Sequence, residues 1–395
     1  MENGKMRSVS IIGFGCTQFA EHWCKSFRQL IAEAGIEAMM NAKIEGKAIE
    51  ALYGGSMASG RFVGQEHIGA LIADQLGLTP IPATRVENAC ASGGTALRTG
   101  YMAIKSGEHD VVAVGGIEKM TDVGTDQAAI ALGGAGDQET ELFHGASFPA
   151  LYALMARKHM EEFGTTEEQM AQVAVKNHHN AMFNPKAQFH REITVQDVME
   201  SGYVASPLKL LDCAPITDGA AAVILCETEK ARKICEQPIE IIAAEQASDS
   251  LSLAGRKSLT ETMAAKVAAK KAFEKTGLTA KDIDFAEVHD CFTIAEIFAI
   301  EALGFCEKGQ GGKFTEQGKT ALDGEIPINT SGGLKGKGHP VGATGIAQAV
   351  ELCLQLQGKA EKRQIKDAKI GLAHNVGGSG ATCTIHIFRA LEGKK

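Results

Sequence analysis

The sequence predicts an α/β protein made of two similar α/β halves, with a helical and loop insertion in the first half. Short apolar runs that suit buried strands alternate with helical segments near both ends of the chain. Between about 122 and 206 these strand runs disappear, and glycine, aspartate, histidine and methionine become frequent. Alternation of strands and helices is typical of a parallel sheet that helices cover on both faces.

The first half opens with an apolar strand over 9–13 and a helix over 27–40. The alternation continues with predicted strands at 51–55, 85–87 and 110–116 and helices at 65–76 and 94–105. In the insertion, Thr165 and Glu168 form a capping-box pattern that predicts a helix to about 180. The α/β pattern then returns, with predicted strands at 218–225, 285–288, 370–373 and 382–387 and helices at 263–277 and 346–356.

A chain of 395 residues is too long for one ordinary core and suits two or three packed units. We expect three. The first half comprises 1–122 together with 206–240. The insertion at 123–205 shapes the pocket, and the second half comprises 241–395.

Charge and cysteine usage narrow the class of protein. The net charge of −8 argues against nucleic-acid binding, which needs a basic patch. The apolar stretch after residues 1–9 is too short for a signal peptide or a membrane span, and 392–395 is not a peroxisomal Ser-Lys-Leu tail. The ten cysteines are scattered, with no Cys-x-x-Cys pair. We therefore expect reduced thiols, no metal site, no membrane association and a cytoplasmic location.

The first candidate for chemistry is Cys90, in the segment Asn-Ala-Cys-Ala-Ser-Gly-Gly between a predicted strand and a predicted helix. Free N–H groups and the helix dipole at a helix N-terminus favour a thiolate over a thiol. The small neighbours would let a substrate carbonyl approach the sulfur. The alternative interpretation is a structural cysteine packed among small residues.

A glycine-rich loop at 332–345 surrounds His339 and leads into a predicted helix. A histidine placed here could take the proton of the Cys90 thiol, as in other Cys–His pairs. Lys335 and Lys337 favour a second interpretation, in which the loop cradles phosphate groups and His339 only packs. Both interpretations hold together if the ligand is phosphorylated.

Two more segments follow predicted strands. His289 and Cys291 stand two residues apart and can face one pocket if the strand continues. The alternative there is a capping Asp290 beside a packed histidine and cysteine. The segment 374–380 ends a strand in Gly-Gly-Ser-Gly, whose N–H groups could form an oxyanion hole or simply an ordinary hairpin turn.

In this order the four segments resemble the thiolase superfamily over essentially the whole chain. The segments 115–120, 177–185 and 218–222 resemble the same family. The His-Asp-Cys-Phe sequence at 289–292 is similar to sterol-carrier-protein-type thiolases and archaeal acetyl-CoA acetyltransferases, and the segment 63–68 looks especially like the archaeal group. The resemblance implies a five-layered αβαβα fold.

The resemblance also implies a role for each site residue. Cys90 would accept the acyl group, and His339 would activate Cys90 and help to hold the enolate oxygen. His289 would complete that oxyanion site in place of the usual asparagine. Cys291 would exchange the proton at the substrate α-carbon, standing in for the second catalytic cysteine, whose usual slot reads Asn-Val-Gly here. The N–H groups of Cys90 and Gly377 would form a second oxyanion hole.

The implied activity is an acyl-CoA:acyl-CoA C-acyltransferase that condenses two acetyl-CoA to acetoacetyl-CoA and CoA, or runs in reverse, through an acyl-Cys90 intermediate. CoA thioesters are the substrates, and no cofactor is permanently bound. The main alternative is a degradative 3-oxoacyl-CoA thiolase for longer, branched or aromatic acyl groups. Further alternatives are a non-catalytic thiolase-like scaffold and a ketoacyl or hydroxymethylglutaryl synthase.

The resemblance finally implies protein partners. We expect a homodimer or tetramer that forms through the segment before Cys90. We also expect a complex with hydroxymethylglutaryl-CoA synthase and a small zinc-ribbon and OB-fold accessory protein, which would connect the chain to the mevalonate pathway of lipid metabolism.

Overall fold

A computed structural model describes residues 7–391; residues 1–6 and 392–395, with the predictions made from them, lie outside the described residues. The strands are β1 (Val9–Cys16), β2 (Ala51–Gly55), β3 (Ala83–Val86), β4 (Val111–Glu118), β5 (Tyr203–Ala205), β6 (Leu208–Lys209), β7 (Gly219–Glu227), β8 (Ile239–Ser248), β9 (Phe285–Glu287), β10 (Ile370–Gly377) and β11 (Thr382–Ala390). The helices are α1 (Phe27–Ala42), α2 (Ser59–Phe62), α3 (Ile68–Gln75), α4 (Ser92–Lys105), α5 (Thr125–Gly133), α6 (Phe148–Phe163), α7 (Glu167–Ala181), α8 (Val195–Glu200), α9 (Thr228–Ile234), α10 (Met263–Thr276), α11 (Thr293–Ala302), α12 (Gly311–Glu316) and α13 (Thr344–Leu356).

One large sheet runs through the molecule in the order β3-β2-β4-β7-β1-β8-β11-β10-β9. Neighbours are parallel at β2–β3, β2–β4 and β9–β10, and antiparallel at the other contacts. The prediction of a parallel sheet is therefore wrong for most neighbours. β10 and β11 are joined by a short turn, which permits only antiparallel pairing. The insertion, rather than a single crossover helix, returns the chain to the sheet at β7.

β1 and β8 pair over only two residue pairs, and the strands on the two sides of this short contact form two β layers. With the helices they make five layers that stack around three apolar clusters. α1 and α3 cover the outer face of the first half, α10 and α11 cover the outer face of the second half, and α4 and α13 lie between the halves. β1 shows how one strand serves two layers: Ile11 packs in the central cluster and Ile12 in the outer one. This is the αβαβα order expected from the sequence.

Helices α5 to α8 lie within the segment predicted as the insertion. The division into 1–122 with 206–240, 123–205 and 241–395 stays a prediction. Within residues 7–391, no helix combines the length and the apolar character that crossing a membrane requires.

Glycines let α4 and α13 approach each other closely. A Cβ atom on Gly93 would lie 2.8 Å from the carbonyl oxygen of Gly342, and a Cβ atom on Gly345 would lie 2.8 Å from the Cα of Gly94. Interiors packed to crystal density cannot absorb such overlaps without moving a helix. The two loops that precede α4 and α13 therefore meet at one end of the central layer.

We predict that Gly345→Ala lowers the melting temperature by several degrees, because overpacking of this kind costs about 1–3 kcal/mol. Gly115→Ala is the matched control, since the nearest atom to its new Cβ would be 3.6 Å away. Differential scanning calorimetry of both variants measures the effect. Equal melting temperatures for the two would show that the helix contact is not tight.

Candidate active site

The residues predicted to carry chemistry gather where the loops before α4 and α13 meet the ends of β9 and β10. Cys90 lies in the turn before α4, and His339 lies in the loop before α13. His289 and Cys291 follow β9, and Gly377 is the last residue of β10. These four chain segments are far apart in sequence, and the central layer brings them together.

Three of these residues form a compact cluster. The Sγ of Cys90 and one ring nitrogen each of His289 and His339 lie within 4.8 Å of one another. The two imidazole rings meet edge to face, with centroids 5.0 Å apart. By donor type the cluster could bind a zinc ion. Whether it acts as a ligand set or as an acid–base set depends on where its protons lie.

Thr344 fixes the tautomer of His339. The Thr344 hydroxyl donates to the carbonyl oxygen of Pro340 at 3.1 Å and therefore accepts from His339 Nδ1 at 2.7 Å. With the proton on Nδ1, the Nε2 atom is a free acceptor, and it is buried without a partner among the described residues. Burial, helped by Lys337, lowers the pKa of His339 to about 3. His339 is therefore a neutral base.

Cys90 is a thiol at rest, so the expectation of a thiolate at a helix N-terminus is wrong. Burial raises the pKa of the Cys90 thiol to about 12, although the N–H of Gly378 acts to lower it. The side chain lies before the N-cap of α4, Ala91, and desolvation outweighs the dipole there. Nearby Glu118 raises the pKa further. Cys90 therefore needs a base during attack.

Asp290 joins the segment after β9 to the glycine-rich loop. Its buried carboxylate accepts hydrogen bonds from the backbone N–H groups of Leu334 at 2.7 Å and Lys335 at 3.1 Å, and from Asn177 Nδ2 at 2.7 Å. Asp290 thus caps the π-helical turn Gly333–Lys337. The alternative interpretation from the sequence, in which Asp290 is a capping residue, is therefore compatible with a site formed by its neighbours. The same bonds hold its neighbours His289 and Cys291 against the His339 loop.

The second interpretation of the glycine-rich loop, as a phosphate cradle, is not supported. Lys335 and Lys337 are buried. Lys337 Nζ lies 3.6 Å from a carboxylate oxygen of Glu287. Burial lowers the pKa of Lys335 to about 8. Both lysine side chains are buried and Lys337 faces a protein carboxylate, so the loop does not present them to a phosphate.

Two of the motifs that resemble the family have no predicted catalytic role, and their side chains form hydrogen bonds that hold the chain around the site. Asp218, before β7, accepts from the N–H of Met120 at 2.6 Å and from the N–H and hydroxyl of Thr121. Asn180 and Asn184 donate from their side chains to carbonyl oxygens at 329 and 331, at 3.0 and 2.8 Å. These bonds anchor the chain on both sides of the site.

Gly377 is placed against the Cys90 turn. A Cβ atom there would lie 2.7 Å from the carbonyl oxygen of Asn88, so the position accepts only glycine. The N–H of the next residue, Gly378, acts to lower the pKa of the Cys90 thiol. Gly378 was predicted only as part of the Gly-Gly-Ser-Gly segment and not as a site residue of its own.

Sequence reasoning also missed Tyr152 in α6. This side chain is buried; its hydroxyl donates to the carbonyl oxygen of Gly378 at 3.1 Å, and its ring packs on Phe292 with centroids 4.7 Å apart. Burial raises the pKa of Cys291, and a hydrogen bond with Tyr152 acts to lower it. Tyr152 can therefore stabilise a thiolate on Cys291 by turning its one O–H from the Gly378 carbonyl to the sulfur. A buried tyrosine usually finds a partner for its hydroxyl, which is the signal that could have identified it.

We predict that iodoacetamide labelling of Cys90 rises with pH through pH 9 without a plateau near neutrality. The reason is the raised pKa of the thiol, below which the reactive thiolate is a small fraction. Peptide mass spectrometry measures the labelling rate, and the exposed Cys24 in the same sample controls for the reagent. A plateau below pH 7 would indicate a thiolate–imidazolium pair instead.

We predict that Tyr152→Phe slows carbon–carbon bond formation about 10- to 100-fold, the value of one hydrogen bond to a charged group. Cys90 acylation should fall much less, because the ring and its packing on Phe292 remain and CoA can leave as a thiolate without the Cys291 proton. The basic limb of the pH–rate profile should move to higher pH, since the pKa of Cys291 rises without the donor. Stopped-flow and quenched-flow assays separate the two half-reactions. An equal loss in both would assign Tyr152 a purely structural role.

A half-buried cysteine, a neutral histidine base and nearby N–H donors are the parts of an enzyme that transfers acyl groups through a covalent intermediate. The N-terminal domain model of thiolase matches residues 9–229, and the thiolase C-terminal domain-like model matches residues 245–390. The chain belongs to the thiolase family, as predicted from its sequence.

Named relatives extend over nearly the whole chain. Acetyl-CoA acetyltransferase of Methanothermobacter thermautotrophicus is 55% identical over 97% of this chain and 100% of its own length. The acetyl-CoA acetyltransferase of Methanocaldococcus jannaschii is 49% identical, over 97% of this chain and 99% of its own. Among solved structures, the Ltp2-ChsH2(DUF35) aldolase has a TM-score of 0.83 at 27% identity, covering 96% of this chain and 97% of that one. The predicted fold is confirmed.

Proposed function

We propose that this chain is an acetyl-CoA C-acetyltransferase, which condenses two acetyl-CoA to acetoacetyl-CoA and CoA or cleaves acetoacetyl-CoA in reverse. The observation that carries the proposal is the cluster of Cys90, His289 and His339 within 4.8 Å, with Cys291 beside it. The predicted acetyltransferase activity agrees with the names of the two archaeal relatives. The substrates are CoA thioesters.

In the first half-reaction His339 Nε2 takes the thiol proton as Cys90 Sγ attacks the acetyl carbonyl. The developing oxyanion accepts from N–H groups at Cys90 and at the Gly377–Gly378 turn. The C–S bond to CoA then breaks, and Cys291 gives its proton to the departing CoA sulfur. Acetyl-Cys90, a protonated His339 and a thiolate on Cys291 remain, so charge is balanced.

In the second half-reaction the Cys291 thiolate removes an α-proton from a second acetyl-CoA. The enolate oxygen is held by His289 Nε2–H and the protonated His339. The enolate carbon attacks the acetyl-Cys90 carbonyl, and the new carbon–carbon bond displaces the Cys90 thiolate. His339 returns its proton to Cys90, which restores the resting site.

The names of the relatives favour a short acyl group, since the two archaeal proteins at 55% and 49% identity are both acetyl-CoA acetyltransferases. The degradative alternative with longer 3-oxoacyl-CoA is therefore not favoured.

The assembly we propose has two levels. β3, immediately before the Cys90 turn, is an edge strand of the sheet, and edge strands are ready to pair with another chain. We assign this edge to the contact within a homodimer or tetramer.

We further assign a complex with hydroxymethylglutaryl-CoA synthase through a zinc-ribbon and OB-fold protein, supported by the two components in the name of the Ltp2-ChsH2(DUF35) aldolase. Ten free cysteines suit the reducing cytoplasm.

We predict that Cys90→Ala abolishes formation of the acetyl-enzyme, because it removes the nucleophile. Cys291→Ala should still acetylate at Cys90, because CoA can leave as a thiolate without the Cys291 proton, but it should fail to condense, because nothing then removes the α-proton. Intact-protein mass spectrometry after mixing with acetyl-CoA, together with an assay for acetoacetyl-CoA, distinguishes the two. If Cys90→Ala still gained the mass of one acetyl group, and that group were attached to another residue of the pocket, the proposed function would be overturned.

We predict that affinity purification of the tagged chain from its native cells recovers a synthase that acts on acetoacetyl-CoA together with a zinc-binding accessory protein. Size-exclusion chromatography with light scattering of the purified chain alone then gives the mass of the homo-oligomer. Recovery of the chain without either protein, at low salt, would contradict the larger complex. The proposed homo-oligomer would be contradicted separately, by a measured mass of a single chain.

A further inference from the structure

Asn375 occupies the slot where the common thiolase pattern has its second catalytic cysteine, and it contacts three parts of the site. Its Oδ1 accepts from the backbone N–H of Gly94 at 3.2 Å, which fixes the orientation of the amide. Its Nδ2 then faces the carbonyl oxygen of Cys90 at 3.1 Å and the Nδ1 of His289 at 3.2 Å. The side chain is buried, so it has no solvent to turn toward.

These contacts determine where the proton of His289 lies. An amide NH₂ group can only donate, so Nδ1 of His289 must be the acceptor in this bond. A neutral imidazole with a bare Nδ1 carries its proton on Nε2. That Nε2 is buried and has no hydrogen-bond partner among residues 7–391. His289 and His339 are therefore opposite tautomers: one presents an N–H donor to the pocket and the other a free lone pair.

We infer that Asn375 is a positioning residue, which holds His289 in its Nε2–H tautomer so that His289 can donate to the enolate oxygen. The inference rests on the proposed condensation. The other tautomer would present a lone pair to a negative oxygen and would repel it. A doubly protonated ring is not available, because Asn375 offers no negative charge and the rings of His339 and His374 lie nearby.

The same tautomer has a second consequence for the cluster of Cys90, His289 and His339. A metal ion binds a ring nitrogen through its lone pair, and Nε2 of His289 has none while Asn375 donates to Nδ1. The amide thus favours the acid–base use of the cluster over its use as a zinc ligand set.

The first test is spectroscopic and does not depend on turnover. Nitrogen-15 NMR of histidine-labelled protein, with His289→Asn to assign the signals, reports which ring nitrogen of His289 is protonated. Wild-type protein should show a protonated Nε2 and a bare Nδ1, and Asn375→Ala should lose this single state. A proton on Nδ1 of His289 in the wild-type protein would overturn the inference.

The second test separates the half-reactions. Removing one oxyanion donor typically costs about 100- to 1,000-fold, so Asn375→Ala should reduce condensation by roughly that factor while Cys90 acetylation changes less than about threefold. In the His289→Ala background, Asn375→Ala should add little further loss, because both substitutions remove the same donor. A parallel loss of acetylation, or a full additional loss in that background, would make Asn375 merely structural.

Gln348→Ala is the matched control, because Gln348 is a buried amide that donates to the same strand, at the carbonyl oxygen of His374, without touching His289. It should leave the His289 tautomer unchanged. If wild-type enzyme forms no acetyl-Cys90 at all, the proposed function fails, whereas the NMR result still decides the role of Asn375.

Discussion

The close contact between α4 and α13 is the constraint on which the site depends. Each helix follows a loop that carries one half of the Cys–His pair, and glycines at 93, 94, 342 and 345 let the helix ends approach to backbone distance. An added methyl group at Gly93 or Gly345 would overlap the backbone of the facing helix or of the loop before it. Fold and catalysis are linked at this one contact.

Burial determines the chemistry of the site more than the helix dipole does. Desolvation disfavours charge on every group in the pocket, so the thiol of Cys90 and the rings of His289 and His339 are all neutral at rest. The site therefore stores no ion pair, and protons move only when acyl transfer makes the movement favourable. Hydrogen bonds orient the two histidines instead: Thr344 bonds to His339, and Asn375 bonds to His289.

Much of the fold followed from the sequence because the strands in the central sheet are short apolar runs. The strand at 51–55 and the start of the helix at 263 match the observed bounds, and the helix predicted from 27 extends only two residues further than expected. β8 was not identified, since Ile239–Ser248 mixes glutamate with alanine. α11 was not identified because Thr293–Ala302 is buried on nearly all sides, Glu296 included, so its apolar residues show no helical period. Strand directions depend on how the insertion returns the chain, which local pattern cannot show.

The candidate site was partly predictable for a similar reason. Cys90, His339, His289 and Cys291 stand in glycine-rich or strand-end segments whose composition is unusual, and the resemblance gave them roles that stay predictions. Tyr152 and Asn375 act through tertiary contacts across more than two hundred residues of sequence, at Gly378 and Gly94. The slot of Asn375 was noticed only for the cysteine it lacks, and the segment of Tyr152 shows no motif that points to Cys291. The charge state of Cys90 was wrong because sequence shows helix position but not desolvation.

The central claim is that the site is neutral and that its two histidines are opposite tautomers. Neutron diffraction from deuterated crystals of the resting enzyme at neutral pH tests it most directly, because it locates each exchanged proton. The account predicts deuterium on Cys90 Sγ, on His339 Nδ1 and on His289 Nε2. Deuterium on both nitrogens of His339 with a bare Cys90 sulfur, or on Nδ1 of His289, would contradict it.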